Sequence, residues 1–145
     1  MSKRTLLELA DSLEKRAAKL DDEACRVAIH TAETIVADLA YKTPVDTSQA
    51  LSNWQVSIGS PVDSKIPPYY PGEGGSTRNS SAQATIDAAR NTLKSKRPGV
   101  TIFISNVLPY IRRLNDGYSK QAPAGFVERA VLIGRKMIKK AKLRF

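Results

Sequence analysis

The sequence has very little of the side chains that most catalytic and metal sites need. Its 145 residues contain one cysteine, Cys25, and one histidine, His30. A single cysteine cannot form an intramolecular disulfide, and no Cys or His spacing fits a zinc site. We expect Cys25 to be a packed thiol on a helix and His30 to be a surface residue. We therefore predict no catalytic, cofactor-binding or metal-binding residues, and a protein that is not an enzyme.

Long apolar runs are also missing. No stretch approaches the roughly 18 to 20 consecutive apolar residues that a membrane-spanning helix requires. The first residues lead into a charged amphipathic segment and do not resemble a signal peptide. With 41% hydrophobic residues in 145, the chain has enough apolar material for one core. We expect one domain over residues 1–145 that is made in the cytoplasm and has no membrane partner.

Basic residues are abundant, and the net charge is +9. They are concentrated at the end of the chain, where residues 135–145 contain six basic residues and no acidic one. Such a cluster attracts nucleic-acid phosphate groups, although a block of like charge also commonly forms only a solvated face. A sequence-nonspecific DNA-binding protein is therefore one candidate. The residues concerned are Arg135, Lys136, Lys139, Lys140, Lys142 and Arg144.

The first third of the chain has the pattern of a long helix. Apolar residues recur every three or four positions from Leu6 to Leu39, which is typical of one apolar stripe. Pro44 ends the pattern because proline disfavours helical geometry at the preceding residue. The acidic stretch around Asp21 either begins a second helix or breaks a long one. The predicted stripe consists of Leu6, Leu9, Leu13, Ala17, Leu20, Ala24, Val27, Ala28, Ile35 and Leu39.

The rest of the chain alternates between short regular elements and turns. Asp46, Thr47 and Ser48 can each cap a short helix through Ser52, and the alternation that begins at Trp54 predicts a strand ending at Gly59. The predicted class is α+β: a long N-terminal helix, a small antiparallel or mixed β-sheet with a long loop, and a basic C-terminal helix. Further predicted elements are a loop over 61–81, a helix over 81–96, a strand over 100–106 and a terminal helix beginning near Val127. The predicted regions are a helical arm over 3–42, a sheet and loop region over 43–106, and an interface segment with the C-terminal helix over 107–145.

The stretch from Ile104 to Val127, ISNVLPYIRRLNDGYSKQAPAGFV, combines aromatic, basic and turn-forming residues. Tyrosine and arginine are enriched at the centres of protein interfaces. Exposed aromatic and basic side chains also bind single-stranded nucleic acid. Composition alone does not separate these two interpretations.

Two blocks of this chain resemble a known family. TPVDTSQALSNWQVSIG and, after a variable loop, VTIFISNVLPYIRRLNDGYSKQAPAGFV are similar to the neck and tail-completion family of long-tailed bacteriophages, whose members are also described as minor tail or head-tail joining proteins. The similarity covers roughly residues 43–131 apart from the loop. Ser48 stands where a glycine is usual, and Asn115 where an acidic residue often occurs. The recurring positions are Thr43 to Thr47, Trp54, Asn106, Pro109, Tyr110, Gly117, Ser119, Gln121, Ala122, Pro123 and Gly125.

The resemblance implies a structural virion protein of the phage neck, assembled in the host cytoplasm. Its copies would form a ring, commonly sixfold, that completes the tail and joins it to the head connector around the DNA channel. The implied partners are other copies of the chain, head-tail connector or stopper proteins, and tail terminator or tube proteins. A tail terminator ring, which stops tube growth, is the alternative within the same class. The resemblance implies no catalytic residues.

A ring subunit needs two different lateral surfaces that fit each other. We predict that rigid aromatic side chains and bond-forming polar ones in the second block supply such contacts. The alternative for Tyr110 is that it closes the domain's own core together with Ile111 and Leu114. The candidate interface residues are Trp54, Tyr110, Arg112, Arg113, Tyr118, Gln121 and Phe126.

Two other regions have open alternatives. The basic C-terminal residues would either dock on acidic patches of adjacent rings or face passing DNA, and we favour docking because strong attraction to DNA would impede its ejection. The loop over 61–81 either becomes ordered only when it meets a partner or is a solvent-exposed tether.

Overall fold

A computed structural model describes residues 5–141 of the chain, which form five helices and one two-stranded sheet. The α+β class predicted from the sequence is confirmed, with helix predominating. Lys142 and Arg144 of the predicted basic set lie outside the described residues. In chain order the elements are α1 (Leu6–Lys42), α2 (Gln49–Ser52), β1 (Gln55–Ile58), α3 (Arg78–Leu93), β2 (Ile102–Ser105), α4 (Ile111–Asn115) and α5 (Phe126–Lys140).

Helix α1 is continuous over 37 residues, a length of about 55 Å at 1.5 Å per residue. It begins with a capping box, in which the Thr5 hydroxyl accepts from the Glu8 backbone N–H at 3.1 Å and the Glu8 carboxylate accepts from the Thr5 N–H at 3.0 Å. It ends where predicted, with Thr43 in extended geometry before Pro44. The acidic stretch at Asp21 neither breaks the helix nor starts a new one.

The apolar stripe of α1 is buried only in the second half of the helix. Its buried residues are Thr31, Ala32, Val36, Leu39 and Ala40. By contrast, Leu6, Leu9 and Leu13 are 85%, 45% and 56% exposed. Helices α3 and α5 pack against α1 and therefore cover only its C-terminal half. The predicted arm is helical from Leu6 to Lys42, but Leu6, Leu9 and Leu13 at its start are not part of the chain's own core.

The sheet consists of β1 and β2 in antiparallel register, with Gln55 opposite Ser105 and Ile58 opposite Ile102. All residues of both strands are half-buried. Helix α3 packs against both α1 and β1. It begins at Arg78, three residues before the predicted start, so the irregular loop is shorter than the proline and glycine content indicated.

The interior contains two clusters, and the last turn of α1 contributes to both. One joins Leu39 with Trp54 and the start of α5, and the other joins Ala40 with α2 and α3. The consequence is that the two sequence blocks, one before the sheet and one before α5, are held against the same end of α1. The first cluster is Leu39, Trp54, Ala122, Phe126 and Ala130; the second is Ala40, Val45, Leu51, Ala82 and Ile86.

Candidate interface site

The first block is fixed by a buried turn at the end of α1. The Thr43 hydroxyl donates to the Leu39 carbonyl at 2.5 Å and accepts from the Trp54 indole N–H at 2.8 Å. Both Thr43 and Val45 are buried. The hydroxyl thus satisfies the indole donor inside the core, as a buried tryptophan requires. The turn after α1 is thereby tied to the start of the sheet.

The second block is joined to the first by the side-chain amide of Gln121. Its oxygen accepts from the Val45 backbone N–H at 2.8 Å, and its nitrogen donates to the Val45 carbonyl at 2.9 Å. The same oxygen accepts from the Arg78 guanidinium at 2.5 Å. Gln121 therefore links three parts of the chain, and both ends of its amide are used within the molecule.

Two predicted interface residues are core residues instead. Trp54 is 8% exposed and Phe126 is 2% exposed, and they share one cluster with Leu39. The prediction that they contact a neighbouring subunit is wrong, because side chains buried in the chain's own core offer no contact area. The sequence analysis placed them at an interface because their side chains are large and apolar, and core residues have the same character.

Four predicted interface residues lie at the surface, on α4 and its flanking turns. Tyr118 is 78% exposed and Tyr110 is 38% exposed. Arg112 and Arg113 are exposed as well, and neither guanidinium has a bonding partner among residues 5–141. We call Tyr110, Arg112, Arg113 and Tyr118 the α4 surface. It presents two aromatic rings and two positive charges to solvent, a combination that suits contact with an acidic protein surface.

Tyr110 is the member of the α4 surface that lies closest to the first block. Its hydroxyl donates to the Gln49 side-chain oxygen at 3.4 Å, and partial burial raises the pKa of its phenol above the ordinary value. Tyr110, Gln121 and Asp46 line one cleft of about 240 Å³. The cleft is lined by both polar and apolar side chains.

Asn115, which was not among the predicted site residues, joins α4 to α5 by hydrogen bonds. Its side-chain oxygen accepts from the Val127 N–H at 2.9 Å, and its amide nitrogen donates to both carboxylate oxygens of Glu128, at 2.9 and 3.0 Å. This side-chain hydrogen bond, with a smaller contribution from the backbone N–H of Glu128, lowers the pKa of the Glu128 carboxyl. Asn115 thus caps α5 and orients the α4 surface. In the sequence, the only sign of this role was that Asn115 stands where the resembling family often has an acidic residue.

Two recurring glycines of the second block lie in turns beside helices. Gly117 follows α4 with φ of +93°, and Gly125 precedes α5 with φ of +85°. Both values lie in the left-handed region, which favours glycine. Ser48, where a glycine is usual in the resembling family, also has a positive φ of 71°.

The loop between β1 and α3 is anchored to the rest of the chain. The Asn53 side chain accepts from the Ile66 N–H at 2.8 Å and donates to the Ile66 carbonyl at 2.9 Å. The Asp46 carboxylate accepts from the Gly74 N–H at 2.8 Å, and the Ser81 hydroxyl bonds to the backbone of Tyr70. The chain's own polar groups therefore hold the loop at these points, although most of residues 61–71 are exposed to solvent.

The predicted basic residues that the structure describes are all exposed on α5. They begin at Arg135, whereas α4 is bound at Val127 and Glu128 near the start of the same helix. From Glu128 to Lys139 the helix rises about 17 Å. The basic end and the α4 surface are therefore two separate candidate contact regions. The basic residues concerned are Arg135, Lys136, Lys139 and Lys140.

Over residues 5–141, no group of three or more His, Cys, Asp or Glu side chains is arranged to hold a metal ion. His30 is exposed, as predicted, and Cys25 is half-buried. Within the same range, no helix has both the length and the apolar character to cross a bilayer.

No protein-family model, curated protein or solved structure matches the chain.

Proposed function

We propose that this chain is a structural protein of the neck of a long-tailed phage, where copies of it form a ring that joins the tail to the head connector. The observation that carries the proposal is the pairing of Gln121 with Val45. It unites the two blocks that resemble the neck and tail-completion family into one unit, although 76 residues separate them. The motif residues thus form one three-dimensional feature.

The surface next to this unit supports a role in assembly. Arg112 and Arg113 are exposed and have no partner among the described residues, and Tyr118 adds an exposed ring beside them. Arginine and tyrosine contribute more than most residues at protein contacts. The α4 surface is therefore the region that we assign to a neighbour in the neck, with acidic groups on that neighbour.

The basic end of α5 favours a second candidate function, sequence-nonspecific DNA binding. Its exposed charges could neutralise phosphate groups, and such binding weakens steeply as salt rises. For the purified chain, this function predicts a linear fall of log affinity with log salt concentration. Replacing Lys139 and Lys140 with glutamine would then reduce that slope by about two, because each lysine neutralises about one phosphate. An affinity that is weak and independent of salt would argue against DNA binding.

Negative-stain microscopy of a phage lysate tests the main proposal. A stop codon replaces Leu51 in a phage that encodes this chain, and the control is the same phage with the intact chain supplied from a plasmid. Filled heads beside separate tails of normal length are the expected result. Overlong tails would move the assignment to a tail terminator, because that ring stops tube growth. Intact infectious particles would refute the neck assignment.

The same complementation system tests the α4 surface. We expect a plasmid chain with Arg112→Glu and Arg113→Glu to leave heads and tails unjoined, because the charge reversal repels an acidic neighbour. Lys120→Glu is the matched control, since Lys120 is an exposed basic residue of the same segment. Full rescue by the double variant would show that the arginines make no essential contact.

A further inference from the structure

The second strand of the sheet has one side that no other strand covers. The sheet has the order β1–β2, so β2 has a neighbour on one side only. The Gly59 N–H donates to the Thr101 carbonyl at 2.9 Å. Opposite residues in an antiparallel pair alternate between hydrogen-bonded and non-hydrogen-bonded pairs. In this register the backbone groups of Ile102 and Ile104 therefore point away from β1.

These outward backbone groups are two donors and two acceptors without a partner. Within residues 5–141, no hydrogen bond is made by the backbone N–H or C=O of Ile102 or Ile104. We call these four groups the β2 edge. Unpaired strand edges are templates for pairing with another strand, and soluble proteins commonly protect them with charged residues, proline or a bulge.

The β2 edge has none of these protections. Residues 99–108 contain neither a charged residue nor a proline. Each residue of β2 has one partner in β1, so the strand contains no bulge. An occupant that satisfies the edge must itself be extended, because only a strand presents donors and acceptors at the same two-residue spacing.

The other strand of the sheet is better covered. Helix α3 packs against β1. The loop after β1 is bonded to it as well, since the Gln55 amide donates to the Ser64 carbonyl at 2.9 Å and the Ser57 hydroxyl donates to the Ser60 carbonyl at 2.6 Å. The β2 edge is therefore the side of the sheet at which another strand can be added.

A second copy of β2 matches the β2 edge residue by residue. When two copies lie antiparallel with Phe103 opposite Phe103, each Ile102 lies opposite Ile104 of the other copy, and the outward donors meet outward acceptors. Thr101 then lies opposite Ser105. Cross-strand pairs of two aromatic residues, and of threonine with serine, stabilise antiparallel sheets. The edge is thus complementary to itself in both its backbone and its side chains.

The distribution of charge also favours a second copy at this position. The net charge of the chain is +9, so two copies repel each other over much of their surfaces. Residues 98–111 contain no charged residue. Two β2 edges can therefore meet without placing like charges opposite each other, which would destabilise the pair.

We propose that two copies of this chain pair through their β2 edges and form one continuous antiparallel sheet, with Phe103 of each copy beside the two-fold axis. The contact is isologous and closes with two copies. It therefore differs from the lateral contact of the proposed ring, and it does not depend on the neck role.

Disulfide trapping tests the pairing and its register. Thr101→Cys and Ser105→Cys are introduced separately into chains that also have Cys25→Ala, which removes the single native cysteine. In the proposed register, residue 101 of one copy and residue 105 of the other form a non-hydrogen-bonded pair with Cα atoms about 4.5 Å apart, a separation that a disulfide spans. Each variant alone is the matched control, because two copies of the same position are offset by about 13 Å along the strands.

One of the two variants carries a size tag, so that the mixed disulfide is resolved from the others. We expect mild oxidation of the mixture to give the mixed disulfide in at least about tenfold greater yield than a disulfide from either variant alone, because only the mixed pair has the required geometry. A mixed yield no greater than that of the controls would overturn the proposal. It would show that the edges do not meet in this register.

Sedimentation of the purified protein provides a second readout in a chain without new cysteines. Ile102→Pro removes an outward N–H and no bond to β1, as proline is tolerated at such positions, whereas Ile102→Ala keeps the N–H and is the matched control. We expect wild type and Ile102→Ala to be dimeric and Ile102→Pro to be monomeric, with the same circular dichroism spectrum. A monomeric wild type, or a dimeric Ile102→Pro, would overturn the pairing. Neither readout involves phage assembly, so failure of the neck role leaves both results unchanged.

Discussion

Replacing Gln121 with alanine is expected to lower the free energy of unfolding by about 2 kcal/mol. The change removes three hydrogen bonds, two to the backbone of Val45 and one from Arg78. A neutral hydrogen bond contributes roughly 0.5 to 1.5 kcal/mol net. The values for Gln121 belong in the lower half of that range because its side chain is partly in water. The Val45 N–H adds to the cost, since its residue is only 2% exposed and loses its acceptor.

Urea unfolding followed by circular dichroism measures this loss, and the melting temperature should fall by about 6 °C in parallel. Gln83→Ala is the matched control, because the Gln83 amide is exposed and bonds only to Asp87 within α3. We expect the control to change stability by less than about 0.5 kcal/mol. A Gln121→Ala variant as stable as Gln83→Ala would refute the conclusion that this amide holds the two blocks together.

Three further changes test other parts of the fold. Ser48→Ala should be less stable than Ser48→Gly by about 1 to 2 kcal/mol in urea unfolding. Both variants lose the hydrogen bond to Thr77, but only glycine adopts the left-handed backbone conformation without steric strain. Equal stabilities of the two variants would contradict this. Gly134→Val should destabilise the chain by about 2 kcal/mol, since even a Cβ at this position would lie 2.5 Å from Ile35 Cδ1; an unchanged melting temperature would refute this packing. Glu128→Gln should remove part of the acid sensitivity. The folded carboxyl has a lowered pKa, so its stabilisation is complete above the ordinary value of 4.5 and is lost as the pH falls through the folded pKa. Melting temperatures of wild type and variant should therefore converge with decreasing pH, and a constant difference would exclude this linkage.

The secondary structure was largely predictable because it depends on local signals. Pro44 ended α1, the alternation after Trp54 located β1, and the terminal helix predicted to begin near Val127 begins at Phe126. The continuity of α1 through Asp21 was not predictable, because an acidic cluster is compatible with both a helix start and a helix interior. The position of Arg78 within α3 was also missed, since the turn-forming residues before it obscured the helix start.

The site was less predictable, because the same residue types serve a core and an interface. Trp54 and Phe126 were assigned to a neighbour and are buried in the chain itself. Leu6 and Leu13 were assigned to the same apolar stripe as Leu39, although nothing in the described chain covers them. Periodicity reports which face of a helix is apolar, but it does not report whether the covering surface belongs to the same molecule.

The positions that this chain shares with the phage family also lie mostly in its own fold. The recurring residues of the two blocks serve mainly inside the chain: Trp54 fills the core, Asn106 donates to the Ala50 carbonyl, Gln121 joins the blocks, and Gly125 is the N-cap of α5. A motif made of such residues specifies how the segment folds. By contrast, the exposed arginines of α4 and the exposed Leu6, Leu9 and Leu13 are not recurring positions. Contacts with a neighbour can therefore differ between chains that share the motif. Under the proposed neck role, the α4 surface is therefore the place to test for a contact with a neighbour.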